Sequence, residues 1–216
     1  MGRRKKEPES VHREAISSAA ERLFLRKGFE SATMDDIARE AGYSKATLYV
    51  YFNNKEDIIG FLVCRSMKLL FEFIRKAVRE PVTVKEKYNG ICKALTIYQD
   101  QYPLYFNLAL GEINVDFERG DCLPEEKETF EIGEQINAEL VKFIQSGIAA
   151  GEFLPDIPVL QTVFLFWASL AGVIQMAVNK QAYIEMTMHQ TKSQFLEFGF
   201  ERLYRLISAE GENDRK

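Results

Sequence analysis

The sequence predicts an all-α fold of about nine helices. Apolar residues recur at helical spacing through almost all of its 216 residues. Only 6 Pro and 13 Gly punctuate them, few for a chain built on turns. No stretch alternates polar and apolar residues strongly enough for a strand. The expected organisation is a flexible basic arm over 1–9, a small helical domain over 10–56 and a larger helical domain over 57–216.

The first nine residues are charged and contain Pro8, and read as a solvated tail. Helix 1 is expected over Ser10–Lys27, where Ile16, Ala19, Ala20, Leu23 and Phe24 share one face. Gly28 supplies its stop. Helix 2 begins after Thr33, which forms a capping-box pattern with Asp36. Ile37, Ala38 and Ala41 are its apolar side, and Gly42 ends it. Ser44 is a good N-cap for a short helix 3, Lys45 to Phe52, seated by Leu48 and Phe52. Asn53-Asn54 separates it from helix 4, which runs from Lys55 to Arg79 before Pro81. Further helices are expected near 84–101, 103–115, 124–150, 157–179 and 187–208.

Composition bounds the chemistry. Net charge is -4. Residues 1–60 carry 11 Lys+Arg and 10 Asp+Glu, so bulk charge does not mark a nucleic-acid coat. The 3 Cys are widely spaced and there are 2 His, so no metal site is expected. There is no phosphate-binding glycine loop, nucleophile elbow or Cys–His pair, so neither catalytic residues nor a cofactor are expected. The start, Met1-Gly2-Arg3-Arg4-Lys5-Lys6, lacks the apolar core of a secretory signal. Lys6 breaks the myristoylation pattern. A cytoplasmic protein is expected.

Helices 2 and 3 meet across a very tight turn, the spacing of a helix-turn-helix. Small Ala38 and Ala41 let the helices approach. On this reading helix 3 turns Lys45, Thr47, Tyr49 and Tyr51 outward. Lys45 suits guanine O6/N7, Thr47 a base edge or phosphate, and the phenols phosphate oxygens. Lys55, opening helix 4, stands where free amides favour a phosphate. Half-buried aromatics in an ordinary helical protein are the competing reading. The basic arm fits a solvated tail better than a minor-groove reader.

Residues 16–59 resemble the DNA-binding domain of the tetracycline-repressor family. The matching residues are Ala20, Leu23-Phe24, Lys27-Gly28-Phe29, Ala32-Thr33, Asp36-Ile37-Ala38, Ala41-Gly42-Tyr43-Ser44-Lys45-Ala46-Thr47-Leu48-Tyr49, Tyr51-Phe52 and Lys55-Glu56. The match spans about a fifth of the chain. Departures are Ala46 for Gly or Pro, Val50 and Asn53 for His and Pro, and Tyr43 for Val. They bear on the operator sequence rather than the fold. The resemblance implies an N-terminal three-helix helix-turn-helix domain and a C-terminal helical ligand-binding and dimerisation domain. It implies a homodimer on a palindromic, double-stranded operator, usually a repressor, with Thr33, Lys45, Thr47, Tyr49, Tyr51 and Lys55 at DNA-contacting positions. Ser44 and Ala46 complete the candidate set. It also implies a small apolar or aromatic inducer.

The larger domain carries an apolar run over 162–178 that is long enough to span a membrane. Gln161, Gln175 and Pro158 interrupt it, and a buried helix is the better reading. Phe164, Trp167, Ala168 and Ala171 on this helix, with Phe195, Phe198 and Arg202 on the last, are the candidate dimer contacts of a four-helix bundle. Tyr102, Tyr105, Phe106, Phe130 and Trp167 are candidate ligand contacts, against the alternative of ordinary core. Glu112, flanked by Leu110 and Ile113, is the candidate for a cationic ligand if buried, although exposure is the commoner state for Glu.

Overall fold

The computed structural model describes residues 7–80, 82–118, 120 and 122–209. Ten helices occur among them: α1 Glu9–Lys27, α2 Met34–Ala41, α3 Lys45–Tyr51, α4 Lys55–Arg79, α5 Val84–Gln101, α6 Pro103–Leu108, α7 Pro124–Ala149, α8 Val159–Asn179, α9 Gln181–Met188 and α10 Lys192–Ile207. No strand is present among them; an isolated bridge joins Phe153 and Ser208. The Arg3–Lys6 arm lies outside the described residues, and Glu9 already belongs to α1, with Pro8 at its N-cap.

Two expectations fail at particular residues. The helix expected over 103–115 stops at Leu108. Beyond Gly111, Asn114 accepts the Asp116 amide proton on its side-chain oxygen at 2.9 Å, and Asp116 accepts from Glu118 N at 3.3 Å. These local side-chain bonds offer the backbone an alternative to the helical ladder. The helix expected over 187–208 starts instead at Lys192, because Thr191 and Gln194 form a full capping box. The stretch before it folds as α9, which ends at His189 in the left-handed conformation. The expectation of about nine helices counted this region once.

The chain divides into two compact units. The first comprises the described residues up to Lys68 together with Leu104–Glu131. It therefore holds α1–α3, the first half of α4, α6 and the start of α7. Its core is Ile16, Ala20, Leu23, Ile37, Leu48, Phe52, Ile58 and Leu62, all buried. Several ion pairs bind the later segment into this unit. Arg65 on α4 bonds Glu14 at 2.8 Å, the Glu21 carboxylate and the Tyr105 hydroxyl, and Tyr105 donates to Glu21 at 2.9 Å. Arg13 reaches Glu125 at 2.6 Å, and Lys68 reaches Glu128 at 2.8 Å. The first unit is thus larger than the 10–56 domain read from the sequence.

The second unit holds Leu69–Pro103 and the described chain from Ile132 onward. Tyr88, Leu95, Tyr98, Phe153 and Ile174 are among its buried residues. Tyr88 donates to the Phe200 carbonyl at 2.7 Å, tying α5 to α10. Leu154 N donates to Ile207 O at 2.8 Å and Ala209 N to Glu152 O at 2.9 Å, pinning the end of α10. Gly147 packs so closely on Phe153 that a Cβ there would overlap its ring.

Candidate nucleic-acid interface

α2 and α3 are each set by local chemistry. Thr33 and Asp36 form the expected capping box. The Asp36 carboxylate also takes Lys27 Nζ at 2.5 Å and Arg39 at 3.1 Å. The Lys27 ammonium, then Thr33, hold its pKa well below the usual carboxylate range. α2 ends at Gly42, whose φ of 74° is the left-handed conformation that a side chain would strain. Ser44 Oγ then accepts from Thr47 N at 3.1 Å to start α3. Leu48, 0 % exposed, and Phe52 seat α3 in the core.

α3 advances about 100° per residue, so alternate residues cannot all face outward. The direction opposite Leu48 and Phe52 falls on Val50, which is 74 % exposed. Ala46 and Tyr49 flank it and are exposed; Lys45, nearer Phe52 on the helical wheel but at the first position of the helix, is exposed as well. Sequence reasoning missed Val50 by listing residues at a two-residue period; the helical period finds it. Tyr51, expected to face outward, is half-buried and stacks on His12 with ring centroids 5.0 Å apart. Thr47 is half-buried, its hydroxyl 2.8 Å from Ser44 Oγ. Thr33 and Ser44 are exposed, each engaged as a helix cap. The Lys55 ammonium donates to the Phe29 carbonyl at 2.9 Å and lies 4.1 Å from that ring's centroid. Lys45 reaches across to α2 and pairs with Asp35 at 2.7 Å, and this contact raises its pKa.

The candidate ligand residues do not form one set. Tyr102 and Trp167 belong to the second unit; Tyr105, Phe106, Glu112 and Phe130 belong to the first. Tyr105 and Phe106 are buried, Tyr105 within the Arg65 network. Phe130 packs on Phe117, centroids 5.2 Å apart. Glu112 is exposed in a non-helical stretch, so it is no buried anion. Its apolar neighbours lie along an irregular chain rather than around one helical position. Within the second unit, Trp167 lines a small apolar cavity of about 30 Å³ with Tyr88, Leu95, Phe143 and Phe166. A groove of about 680 Å³ lies between α4 and α5, floored by Leu69, Phe73, Ala94 and Ile97 and rimmed by Glu72, Lys76, Glu80 and Lys93. Tyr102 packs edge-on against the groove's Phe73, centroids 6.4 Å apart.

Two exposed apolar stripes remain in the second unit. On α8, Leu160, Phe164, Leu165 and Met176 are exposed beside Ala168 and Gly172. On α10, Phe198 and Leu206 are exposed, with Arg202 lying over the Phe198 ring at 5.3 Å. Trp167 and Phe195 are half-buried. Ala171 is a correction to the candidate dimer set: it is buried within its own unit, on the α8 stripe with Phe166 and Ile174.

Comparison with known proteins agrees with this architecture. Residues 16–60 match the family described as "Bacterial regulatory proteins, tetR family". The chain is 27% identical over 176 residues to the fatty acid metabolism regulator protein of Bacillus subtilis, covering 78% of this chain and 84% of that protein. A Rhodococcus protein of unknown function shares its fold with a TM-score of 0.74 at 15% identity, covering 96% of this chain and 100% of the other. The Bacillus subtilis transcriptional regulator FadR, solved in complex with stearoyl-CoA, gives a TM-score of 0.65 at 20% identity over 88% of this chain and 97% of that one. The helix-turn-helix geometry and the family match fall on the same residues: the segment 16–60 is similar to the tetR family of bacterial regulatory proteins, and the chain as a whole shares its all-helical fold with these solved structures.

Proposed function

We propose that the protein is a ligand-responsive repressor that binds a palindromic operator as a homodimer and is released by a small apolar molecule. The carrying observation is α3, a helix fixed by Leu48 and Phe52 that turns Lys45, Ala46, Tyr49 and Val50 to solvent. Lys45 supplies a donor for guanine, the Val50 methyls suit the thymine methyl, and Tyr49 suits phosphate or sugar. Such a helix reads one half-site, so a palindrome needs two copies spaced by about one duplex turn, ~34 Å.

The exposed stripes of α8 and α10 are the proposed dimer surface, two helices from each subunit forming a bundle. α8 is long and apolar enough to cross a membrane by length and composition alone. Its buried stripe, Val163, Phe166, Leu170 and Ile174, belongs to the core of its unit, and its exposed stripe is accounted for by a partner subunit. A cytoplasmic site of action follows from this reading.

Ligand binding is assigned to the second unit. The α4–α5 groove falls in the size range of small-molecule sites, ~300–1,000 Å³, whereas the cavity beside Trp167 holds a ligand only if its walls part. The Bacillus subtilis neighbour's stearoyl-CoA makes a long-chain acyl thioester the first probe. Release then follows from linkage: a ligand that favours a different spacing of the two α3 helices lowers operator affinity by the same factor as DNA lowers ligand affinity.

The test is recovery of bound fragments from random DNA, followed by titration at several salt concentrations with and without stearoyl-CoA. A saturable class with paired half-sites, weakened by salt and by ligand, is expected. Absence of any saturable class removes the DNA-binding reading. Unchanged affinity at saturating ligand removes the inducer.

A further inference from the structure

α3 carries one cation, Lys45, and no acidic residue. In the structure that cation is already engaged. Its ammonium lies 2.7 Å from a carboxylate oxygen of Asp35, with both side chains more than half exposed. Asp35 is not a capping residue, because Thr33 and Asp36 close the cap of α2 between them. The exposed Lys45–Asp35 pair adds little to stability. It does change what the reading surface presents: a donor and an acceptor side by side, with no net charge between them.

That arrangement discriminates between the two parts of DNA a lysine can grip. A phosphate oxygen bonded to Lys45 would bring its negative charge close to the Asp35 carboxylate. The edge of a G·C pair in the major groove would not. Guanine offers the acceptors O6 and N7, and cytosine offers the N4 amino donor. Lys45 matches the first and Asp35 the second. We propose that Asp35 is a specificity-determining residue: it withholds Lys45 from phosphate and, with Lys45, reads a G·C pair in each half-site. The device works by penalising the wrong contact as much as by rewarding the right one. This inference rests on the DNA-binding reading above.

The experiment compares the wild-type chain with Asp35→Asn, Lys45→Ala and the double variant. Affinity for the recovered operator, for operators substituted at each position, and for unrelated duplex is read across a salt series. Circular dichroism confirms that each variant keeps its helices. Asp35→Asn is expected to bind unrelated duplex more tightly. Its plot of log affinity against log salt should steepen by about 0.9 for each lysine freed to bond phosphate, so by about 2 in a dimer. Its preference for G·C at one position per half-site should fall by roughly 5- to 100-fold. In the Lys45→Ala background the same change should leave the slope unaltered, because Asp35 acts on phosphate binding through Lys45.

A wild-type chain that binds operator while Asp35→Asn keeps its slope and its G·C preference overturns the inference and leaves the DNA-binding reading standing. An Asp35→Asn effect of equal size without Lys45 also overturns it, since bulk charge alone would then account for the result. A wild-type chain with no saturable binding removes both.

Discussion

Leu48 and Val50 stand two residues apart on α3, and the proposed function gives them opposite tasks. Leu48 is 0 % exposed and Val50 is 74 % exposed. Truncating each to Ala separates seating the reading helix from reading DNA. Val50→Ala removes two carbons that touch nothing substantial in the free protein, so its stability should stay within about 0.5 kcal/mol of wild type. On DNA the same two carbons would be covered by a thymine methyl. At ~0.8 kcal/mol per buried methylene the ceiling is ~1.6 kcal/mol per half-site, and partial cover brings the expected loss to roughly 3- to 10-fold in affinity per half-site. The loss should vanish when the contacted A·T pair is replaced, because the operator then has no methyl to lose. Leu48→Ala opens a cavity in the core and should cost ~3 kcal/mol of stability, within the usual range for buried leucines. Urea unfolding gives the stabilities, and fluorescence anisotropy with labelled operator gives the affinities. Equal affinity of wild type and Val50→Ala for every singly substituted operator would refute the placement of the reading face. So would a large stability loss in Val50→Ala.

Three further outcomes follow from the packing and the charges. Arg65→Met should cost about 1–3 kcal/mol by urea unfolding, since it takes the cation away from the half-buried Glu21 carboxylate and leaves it the Tyr105 hydroxyl, and Arg65→Lys should recover only part of it. Gly147→Ala should destabilise by about 1–3 kcal/mol, because the added Cβ meets the buried Phe153 ring. Acid should unfold the protein by titrating carboxylates held below their ordinary values, Asp36 chiefly by Lys27, Glu40 by Arg26, Glu128 by Lys68 and Glu201 by Lys85. A lowered folded pKa stabilises fully above the ordinary values of 3.8 and 4.5, and that stabilisation is lost as pH falls through the lower folded values. The melting temperature should therefore hold down to about pH 5 and decline below it, less steeply in Lys27→Met.

Much of the fold could be read from the sequence because its signals are local. Gly42 and Ser44 mark the tight turn between α2 and α3 within three residues of chain. Thr83 and Glu86 box the start of α5 just where the apolar spacing begins. A boundary signal overlooked, Thr191 with Gln194, is equally local and was hidden by the apolar period running across it. Side-chain partners are different. Arg13 and Glu125 are separated by 112 positions, and Arg65 meets Tyr105 from 40 positions away. No periodicity carries such pairings.

The chain's own pattern therefore determined that it is helical, where α1–α5 begin and end, and that α3 follows a helix-turn-helix corner. Those features depend on dihedral preferences and hydrogen bonds within a few residues. Tertiary structure alone decided that α6 and the start of α7 join the unit that holds α1–α3, that Tyr51 and Lys55 are taken up by His12 and Phe29, and that Lys45 faces Asp35. Each of these is a meeting of groups on different elements. Only the packed arrangement sets which charges and rings come within a few ångströms of one another.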